Sequence, residues 1–282
     1  MTPSDLRRIL GEYGLRPLSG RSQNFLLDEG VVSRMVAAAG VLPGAAVLEI
    51  GPGTGMLTGA LLKAGASVTA VEIDHGLCRL LRDRFGNDGN FRLIEGDVLE
   101  LDNQEIVRSF GLGEGDRWQV AANLPYAITS PTVMKFIFGD PRPASLTLMV
   151  QREVAERMVA KPGDMSSLAV ACQALGHPEI AVRVRAGSFF PAPRVDSAVI
   201  HVRLKDSVER QAFFRGVGEG RYFQVVRQAF SQRRKQVKNT LRSLARPGRD
   251  LADCLKRAEI PESSRPEDLT PEQWVAVAEN IG

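Results

Sequence analysis

The tetrapeptide Asn123-Leu124-Pro125-Tyr126 carries the groups needed to hold an amino group for reaction. The side-chain oxygen of Asn123 and the main-chain carbonyl of Leu124, whose direction Pro125 fixes, can both accept hydrogen bonds from one nitrogen. Such acceptors draw a planar aromatic amine toward tetrahedral geometry and expose its lone pair. Tyr126 offers a ring on which a flipped base can stack. The alternative interpretation is a turn with a buried tyrosine, which involves no chemistry.

A glycine-rich turn, Glu49-Ile50-Gly51-Pro52-Gly53-Thr54-Gly55, follows a predicted strand and opens a predicted helix. Its glycines permit a tight turn and a close approach of the backbone to a ligand, and the helix N-terminus favours an anionic group. The dinucleotide fingerprint G-x-G-x-x-G would need glycine where Met56 stands, and the Gly-Lys-Ser/Thr of a Walker loop is absent. The spacing E-x-G-x-G-x-G is instead typical of S-adenosylmethionine (AdoMet) methyltransferases.

Acidic residues stand at or just after the C-terminal ends of the two strands that follow the glycine turn. Glu72 could accept hydrogen bonds from both hydroxyls of a ribose, and Asp97 could accept from an adenine amino group. Each acid alone could be an ordinary charge at the end of a strand. Because the turn, Glu72 and Asp97 lie in order at the ends of successive strands, we interpret them as an AdoMet site rather than a generic α/β ligand pocket.

The elements that must position these residues are short apolar segments, most of them followed by a helical pattern. The last two are joined by a segment too short for a helical crossover, so at least one of them should be antiparallel. Repeated βα units predict a largely parallel sheet covered on both faces. The predicted fold is a Rossmann-like class I AdoMet methyltransferase with a mostly parallel seven-stranded sheet. The predicted strands are Ala46–Ile50, Ser67–Ile73, Phe91–Glu95, Gln119–Asn123, Leu146–Val150, Ile180–Arg185 and Ala198–Leu204.

Helical patterns flank this α/β region on both sides. Ser4-Asp5 is predicted to cap a first helix that runs to about Tyr13, and Asp28 to cap a second that includes Ala39. After Leu204 the strand signal stops and short helices interrupted by prolines follow. We therefore predict a methyltransferase domain with an N-terminal lid segment over residues 1–205 and a small all-α domain over residues 206–282.

The basic residues are concentrated in the predicted helical domain. The chain carries a formal net charge of only +3, but residues 221–249 contain nine basic and no acidic residues. Such a segment suits the phosphates of a nucleic acid, whereas a solvated helix face is the alternative interpretation. The residues predicted to contact RNA are Arg221, Arg227, Arg233, Arg234, Lys235 and Lys238.

Composition excludes several other classes of protein. With 44% hydrophobic and 24% charged residues, the chain is not mainly disordered. The three cysteines are far apart and the three histidines are isolated, so we expect neither disulfides nor a metal. No apolar stretch of about 20 residues and no secretory signal are recognisable, so we expect a cytoplasmic protein without a membrane span.

Five motifs occur in the order found in ribosomal RNA adenine dimethyltransferases, and the chain closely resembles this family from about residue 13 to about residue 245. The basic Arg233-Arg234-Lys235 resembles part of the family's C-terminal domain. The motifs are Ser22-Gln23-Asn24-Phe25-Leu26, Glu49–Gly55, Asn123–Tyr126, Gln151-Arg152-Glu153-Val154-Ala155-Glu156-Arg157, and Phe189–Pro193 followed by Val195-Asp196-Ser197-Ala198-Val199.

The resemblance implies roles for individual residues. Asn123 to Tyr126 match the catalytic loop, and Phe189 matches an aromatic residue that stacks on the target adenine. The implied substrate is a pair of adjacent adenosines in a hairpin near the 3′ end of small-subunit rRNA. A monomer would add two methyls to N6 of each, on an immature subunit. The implied AdoMet contacts are Asn24 and Leu26 in the lid, with Gly51, Gly53, Glu72, Asp97 and Asn123.

Two alternatives remain open. One is a large-subunit rRNA dimethyltransferase of the macrolide-resistance type, against which the long C-terminal domain with its basic helix argues. The other is a non-catalytic RNA-binding or transcription factor derived from the family, against which the intact tetrapeptide and glycine turn argue. The chain departs from the family pattern at Ser22, at Ala127 and at Met165-Ser166-Ser167.

Overall fold

A computed structural model describes residues 1–15, 24–113, 115–232, 234–244 and 251–281. The strands are β1 (Phe25–Leu26), β2 (Ala46–Ile50), β3 (Ser67–Glu72), β4 (Phe91–Glu95), β5 (Trp118–Asn123), β6 (Ser145–Gln151), β7 (Gly176–Val184), β8 (Phe189–Phe190) and β9 (Ser197–Leu204). The helices are α1 (Pro3–Glu12), α2 (Glu29–Ala39), α3 (Met56–Lys63), α4 (His75–Phe85), α5 (Asn103–Ser109), α6 (Thr129–Phe138), α7 (Arg152–Met158), α8 (Ser167–Leu175), α9 (Ser207–Phe214), α10 (Glu219–Phe230), α11 (Val237–Thr240), α12 (Leu251–Arg257) and α13 (Pro271–Ile281).

Seven strands form one sheet in the order β4-β3-β2-β5-β6-β9-β7. The pairs β4–β3, β3–β2, β2–β5 and β5–β6 are parallel, and β9 runs antiparallel to β6. Every residue of β2 is buried, as expected for a central strand with both faces covered. The predicted fold class is confirmed, including the antiparallel strand near the C-terminal end of the sheet.

The register of the parallel strands brings the predicted site residues to one edge of the sheet. Glu72 at the end of β3 lies opposite Glu95 on β4, and Ile50 at the end of β2 lies opposite both Val71 and Ala122. The loops after β2, β3, β4 and β5 therefore leave the sheet side by side. This is the position at which open α/β sheets bind their ligands.

A second, two-stranded sheet was not predicted. β1 pairs antiparallel with β8, with Phe25 opposite Phe190 and Leu26 opposite Phe189. Two residues are too few to show the alternation by which a strand is recognised. The pairing joins the predicted lid to the segment that carries Phe189, although the two are far apart in the sequence.

The predicted N-cap of α2 is confirmed, whereas the predicted N-cap of α1 is wrong. Asp28 caps α2 as predicted, accepting from the backbone N–H of Val31 at 3.1 Å. The prediction for α1 was wrong, because Thr2 is its N-cap and Asp5 completes a capping box with it. Pro3 then takes a first-turn position, where its missing N–H leaves no hydrogen bond unmade.

The chain divides into two compact units. The first unit comprises Met1–Ala155 and Glu179–Leu204, and the second comprises Glu156–Pro178 and Lys205–Gly282. The second unit thus includes a segment that the sequence analysis assigned to the first domain. Within the second unit, α8 packs against α10 and α13, which accounts for this grouping.

The second unit has an aromatic core. Tyr222 on α10 is fully buried, packs edge-on against Phe214 and Phe223, and donates its hydroxyl to the carbonyl of Pro271 at 3.1 Å. Trp274 on α13 is equally buried. Among the described residues, no helix has the length and apolar character to cross a membrane, and no three potential metal-ligating side chains come together.

Candidate active site

A cavity of about 270 Å³ opens at the edge of the sheet where β2, β3 and β5 end. It brings together most of the predicted cofactor and catalytic residues, although they come from five separate segments of the first unit. Its walls also include residues that the sequence analysis did not single out, among them Ile73 and Leu77. The lining residues are Asn24, Phe25, Leu26, Glu49, Gly51, Pro52, Gly53, Thr54, Met56, Leu57, Glu72, Ile73, Asp74, Leu77, Asn123, Leu124, Pro125, Tyr126 and Phe189.

The glycine turn forms one wall of the cavity. Gly51 and Gly53 have φ values of 61° and 59°, which side-chain-bearing residues rarely adopt. A Cβ on Gly53 would stand 3.4 Å from the ring of Phe25, so the lid segment lies directly on the turn. The backbone of Gly51 and Gly53 therefore lines the cavity, and Phe25 packs against it at Gly53.

Glu72 supports this turn from the next strand. One carboxylate oxygen, Oε1, accepts from the backbone N–H groups of Ile73 at 2.9 Å and Asp74 at 3.0 Å. The other, Oε2, accepts from the N–H of Gly53 at 3.2 Å. Burial nevertheless raises the pKa of Glu72 above its ordinary value. Three of about four acceptor positions of the carboxylate are thus occupied by backbone, which leaves room on Oε2 for a ligand hydroxyl.

Glu49 places a second carboxyl group beneath the turn. It is 1% exposed, and its Oε2 accepts a hydrogen bond of 2.6 Å from the hydroxyl of Thr58. Burial raises the pKa of Glu49 to about 8, because the charged form is poorly solvated there. From the sequence, Glu49 was identified only as the first residue of the glycine-turn motif. Its burial follows from its place inside the central strand β2.

We expect the raised pKa of Glu49 to make the protein less stable as the pH rises. The unfolded chain releases this proton near pH 4.5 and the folded chain near pH 8, so between these values the folded state binds more protons. Relative to Glu49→Gln, the free energy of unfolding of the original chain should fall by about 3–5 kcal/mol across this window. Denaturant unfolding of both proteins at a series of pH values measures the difference.

The exposed Glu100 provides a matched control for this experiment. Glu100→Gln should leave the pH dependence of the original chain unchanged. Parallel stability curves for Glu49→Gln and the original chain would contradict the account of Glu49.

The tetrapeptide Asn123-Leu124-Pro125-Tyr126 is held at both ends. The Nδ2 of Asn123 donates to the main-chain carbonyl of Asn24 at 3.4 Å, which turns the side-chain oxygen of Asn123 away from the lid carbonyl. Leu124 is buried and its N–H donates to the carbonyl of Met149 at 3.2 Å. Tyr126 begins a short 3-10 turn, and its hydroxyl is 2.9 Å from the hydroxyl of Ser197. No sequence pattern predicts this contact, because the two residues are 71 positions apart in the chain.

The two adjacent phenylalanines differ in burial. Phe189 is the more buried, with 4% of its surface exposed. Phe189 packs in the core cluster that includes Leu26 and still lines the cavity, whereas Phe190 is half-buried beneath the guanidinium of Arg7. The β1–β8 pairing causes this difference, because successive residues of a strand point to opposite faces.

Asp97 is the predicted cofactor residue that is not among those lining the cavity. It lies in the loop after β4, where Oδ1 accepts from the N–H of Leu99 at 2.8 Å. Ile73 and Leu77 supply an apolar wall beside Glu72, and Ile73 is 68% exposed in this position. The available sequence signal for such a wall was an isoleucine directly after the acidic Glu72.

The predicted RNA contacts are distributed over α10 and the segment that follows it. Arg227, Arg234 and Lys235 are exposed, whereas Arg233 lies outside the described residues. Arg221 donates to Gln224 at 3.0 Å and to the carbonyl of Leu244 at 3.3 Å.

Lys238 forms an ion pair of 2.9 Å with Glu262. A compensating acid is therefore supplied from outside the basic segment. A search for acidic residues within residues 221–249 alone could not find it.

The order and directions of the strands, the glycine turn and the cavity together define a Rossmann-like class I AdoMet-dependent methyltransferase. The family model of ribosomal RNA adenine dimethylases matches residues 19–282. The chain belongs to this family.

Curated relatives match over nearly their whole length. The "Ribosomal RNA small subunit methyltransferase A" of Moorella thermoacetica is 38% identical over 99% of this chain and 98% of its own. The protein of the same name from Dehalococcoides mccartyi (strain ATCC BAA-2266 / KCTC 15142 / 195) is 36% identical over 97% and 92%.

Two solved structures are also similar. The 23S rRNA methyltransferase ErmE matches with a TM-score of 0.71 and 27% identity, over 92% of this chain and 99% of its own. A dimethyladenosine transferase from Plasmodium falciparum matches with a TM-score of 0.73, over 90% of this chain and 95% of its own. At 24% identity, the latter supports the fold alone.

Proposed function

We propose that this chain transfers methyl groups from AdoMet to N6 of adenosines in small-subunit rRNA. The observation that carries the proposal is the juxtaposition, in one cavity, of the glycine turn with Asn123-Leu124-Pro125-Tyr126. The names of the near full-length relatives indicate the small subunit as the substrate. The product is N6,N6-dimethyladenosine at two adjacent positions in the 3′-terminal hairpin, formed during assembly of the subunit.

The residues of the cavity fit AdoMet. Ile73 and Leu77 offer an apolar wall for an adenine ring, and Glu72 offers an acceptor for a ribose hydroxyl. The backbone of Gly51 and Gly53 is open to the amino-acid end of the cofactor. When bound, AdoMet supplies an electrophilic methyl group on a sulfonium. Asn24 and Leu26 would cover it, and Asp97 would have to reach the adenine amino group through the loop after β4.

The chain's contribution to the chemistry is to orient the amine. The Asn24 carbonyl holds the Nδ2 of Asn123, so the Oδ1 of Asn123 remains to accept from the adenine N6. The carbonyl of Leu124 accepts the second N6 hydrogen, since Pro125 fixes the peptide that carries it. Both acceptors become more effective as the nitrogen develops positive charge, so they favour the transition state over the ground state. The proton leaves without a strong general base, because methylation makes it acidic.

Aromatic residues hold the base in this arrangement. Tyr126 and Phe189 both line the cavity, and Ser197 holds the hydroxyl of Tyr126. Burial raises the pKa of Tyr126, which keeps its hydroxyl neutral. A base flipped out of an RNA hairpin would be sandwiched between these rings.

The second unit is proposed to bind the ribosomal particle. Arg227, Arg234 and Lys235 are exposed cations suited to phosphate contacts. The domain over residues 1–205 then supplies the catalytic residues, apart from its segment Glu156–Pro178, which belongs to the second unit. The protein acts as a cytoplasmic monomer on the immature subunit.

A second candidate function is methylation of large-subunit rRNA. The structural similarity to the 23S rRNA methyltransferase ErmE favours it. The 38% identity to a small-subunit enzyme, against 27% to ErmE, supports the first candidate instead.

Incubation with labelled AdoMet and each subunit, isolated without its adenine methylation, tests the choice. Label should enter the small subunit and not the large one. The reverse distribution would contradict the proposal.

We expect Glu72→Ala to weaken AdoMet binding by about 1–3 kcal/mol, because it removes an acceptor for the ribose and a support for the Gly53 N–H. Isothermal titration calorimetry measures the affinity. Glu95→Ala is the matched control, since Glu95 ends the neighbouring strand opposite Glu72 but does not line the cavity. Unchanged affinity in a folded Glu72 variant would remove Glu72 from the cofactor site.

A further inference from the structure

Two exposed arginines on α1 have different surroundings. Arg8 forms an ion pair of 2.7 Å with Glu12 on the same helix. Arg7 instead places its guanidinium over the ring of Phe190, 4.5 Å from the ring centre. Phe190 packs in one cluster with Phe25 and Leu77, which both line the cavity, so this contact puts a positive charge close to the cavity wall.

The position of Arg7 is fixed by the packing of its helix. Leu6 and Leu10 of α1 are buried in a cluster with Leu77, against which Phe25 and Phe190 also pack. Arg7 is thus carried by a helix that contacts both the lid segment and the segment of Phe189. The match to the family model begins only at residue 19, so α1 lies outside the matched region.

Two further exposed arginines, Arg185 and Arg194, flank the segment that carries Phe189. The N–H of Ala186 donates to Oδ1 of Asp196 at 3.1 Å, which brings the two ends of this segment together. Asp196 is the only acid between residues 183 and 197, and Arg152 lies 3.4 Å from its Oδ2. In the part of the chain that the structure describes, Arg7, Arg185 and Arg194 have no carboxylate at ion-pair distance.

We propose that Arg7, Arg185 and Arg194 form a basic rim that binds phosphates of the RNA backbone beside the target adenosine. The inference rests on the proposed function and adds an RNA contact on the catalytic unit itself. A guanidinium suits this ligand because its planar donors match the oxygens of a phosphodiester. None of the three arginines lines the cavity, so the proposed contact is with the RNA backbone outside the cavity rather than with the cofactor.

Phosphate contacts beside the target adenosine would help to hold the RNA while its base is flipped out. Flipping a base out of a hairpin requires the backbone on either side to be held while stacking is lost. Phosphate contacts supply affinity without reading sequence, and they position the nucleic acid in register with the site. Arg7 stacked on Phe190 is pre-oriented for such a contact, so less side-chain freedom is lost on binding.

Arg7→Gln and Arg8→Gln form a matched pair of variants on one helix. Single-turnover methylation of small subunits lacking the modification is measured with the full-length chain over a series of salt concentrations. For Arg7→Gln we expect a several-fold weaker apparent affinity for the subunit, and a slope of log K against log salt that is smaller by about 0.7–0.9. Arg8→Gln should match the original chain, and Arg7→Lys should keep most of the slope.

The outcomes separate this inference from the proposed function. If the original chain transfers no methyl to small subunits, the proposed function fails. If it does, and Arg7→Gln shows the same affinity and slope as Arg8→Gln, the rim alone is contradicted. A loss of AdoMet affinity in Arg7→Gln, measured by calorimetry without RNA, would also contradict it, because the effect would then lie in the cofactor site.

Discussion

Asn123→Ala should lower the rate of methyl transfer by about 100-fold or more while leaving the affinity for the small subunit nearly unchanged. The Oδ1 of Asn123 is the side-chain acceptor that the Asn24 carbonyl orients toward the cavity. Its interaction with the amine strengthens as positive charge develops on nitrogen, so its loss falls on the transition state. Single-turnover rates at saturating AdoMet, together with equilibrium binding to unmethylated subunits, measure the two quantities separately.

Asn90→Ala is the control for this variant, because Asn90 is an exposed asparagine of the same unit that does not line the cavity. It should methylate at the original rate. Equal losses of rate and subunit affinity in Asn123→Ala would mean that Asn123 serves binding or folding instead.

Charge reversal at Arg234 and Lys235 should strongly weaken the binding of the protein to the small ribosomal subunit. Both side chains are exposed and follow α10 in the second unit, whereas Lys238 is already paired with Glu262. Each lost phosphate contact should also reduce the slope of log K against log salt by about 0.7–0.9. AdoMet affinity should not change, since neither residue lines the cavity.

Lys256 and Arg257 provide a matched pair for this experiment. They are adjacent, exposed and basic like Arg234 and Lys235, and they lie on α12 of the same unit outside the basic segment. Their reversal changes the net charge equally and should have a much smaller effect on affinity. If both double variants lose the same affinity, the effect is one of overall charge and the segment has no special role in binding.

The sequence predicted the sheet well because its central strands are short, continuous apolar runs. The bounds predicted for β2 and β4 agree with the structure, since each run is closed by a glycine on the C-terminal side. The β1–β8 pair could not be predicted, because its partners are two residues long and far apart in the chain. The cap of α1 was misassigned although Thr2-Pro3-Ser4-Asp5 contains a capping box with proline in the first turn.

In the candidate site, too, contacts between residues far apart in the chain could not be predicted. Glu72 and Asn123 could be found because the carboxyl ends of parallel strands converge on one edge. The burial of Glu49, the Tyr126–Ser197 contact and the Lys238–Glu262 pair depend on residues brought together only by the fold. Asp97 had the same strand-end signal as Glu72, yet its carboxylate caps its own loop.

The most direct test of the account is to map the product on the RNA. Small subunits lacking the modification are incubated with AdoMet and the full-length chain, and the modified nucleosides of the rRNA are then located by mass spectrometry of its fragments. We expect N6,N6-dimethyladenosine at two adjacent positions near the 3′ end, and none with Asn123→Ala. Methylation of another nucleoside, or of the large-subunit rRNA in its place, would contradict it.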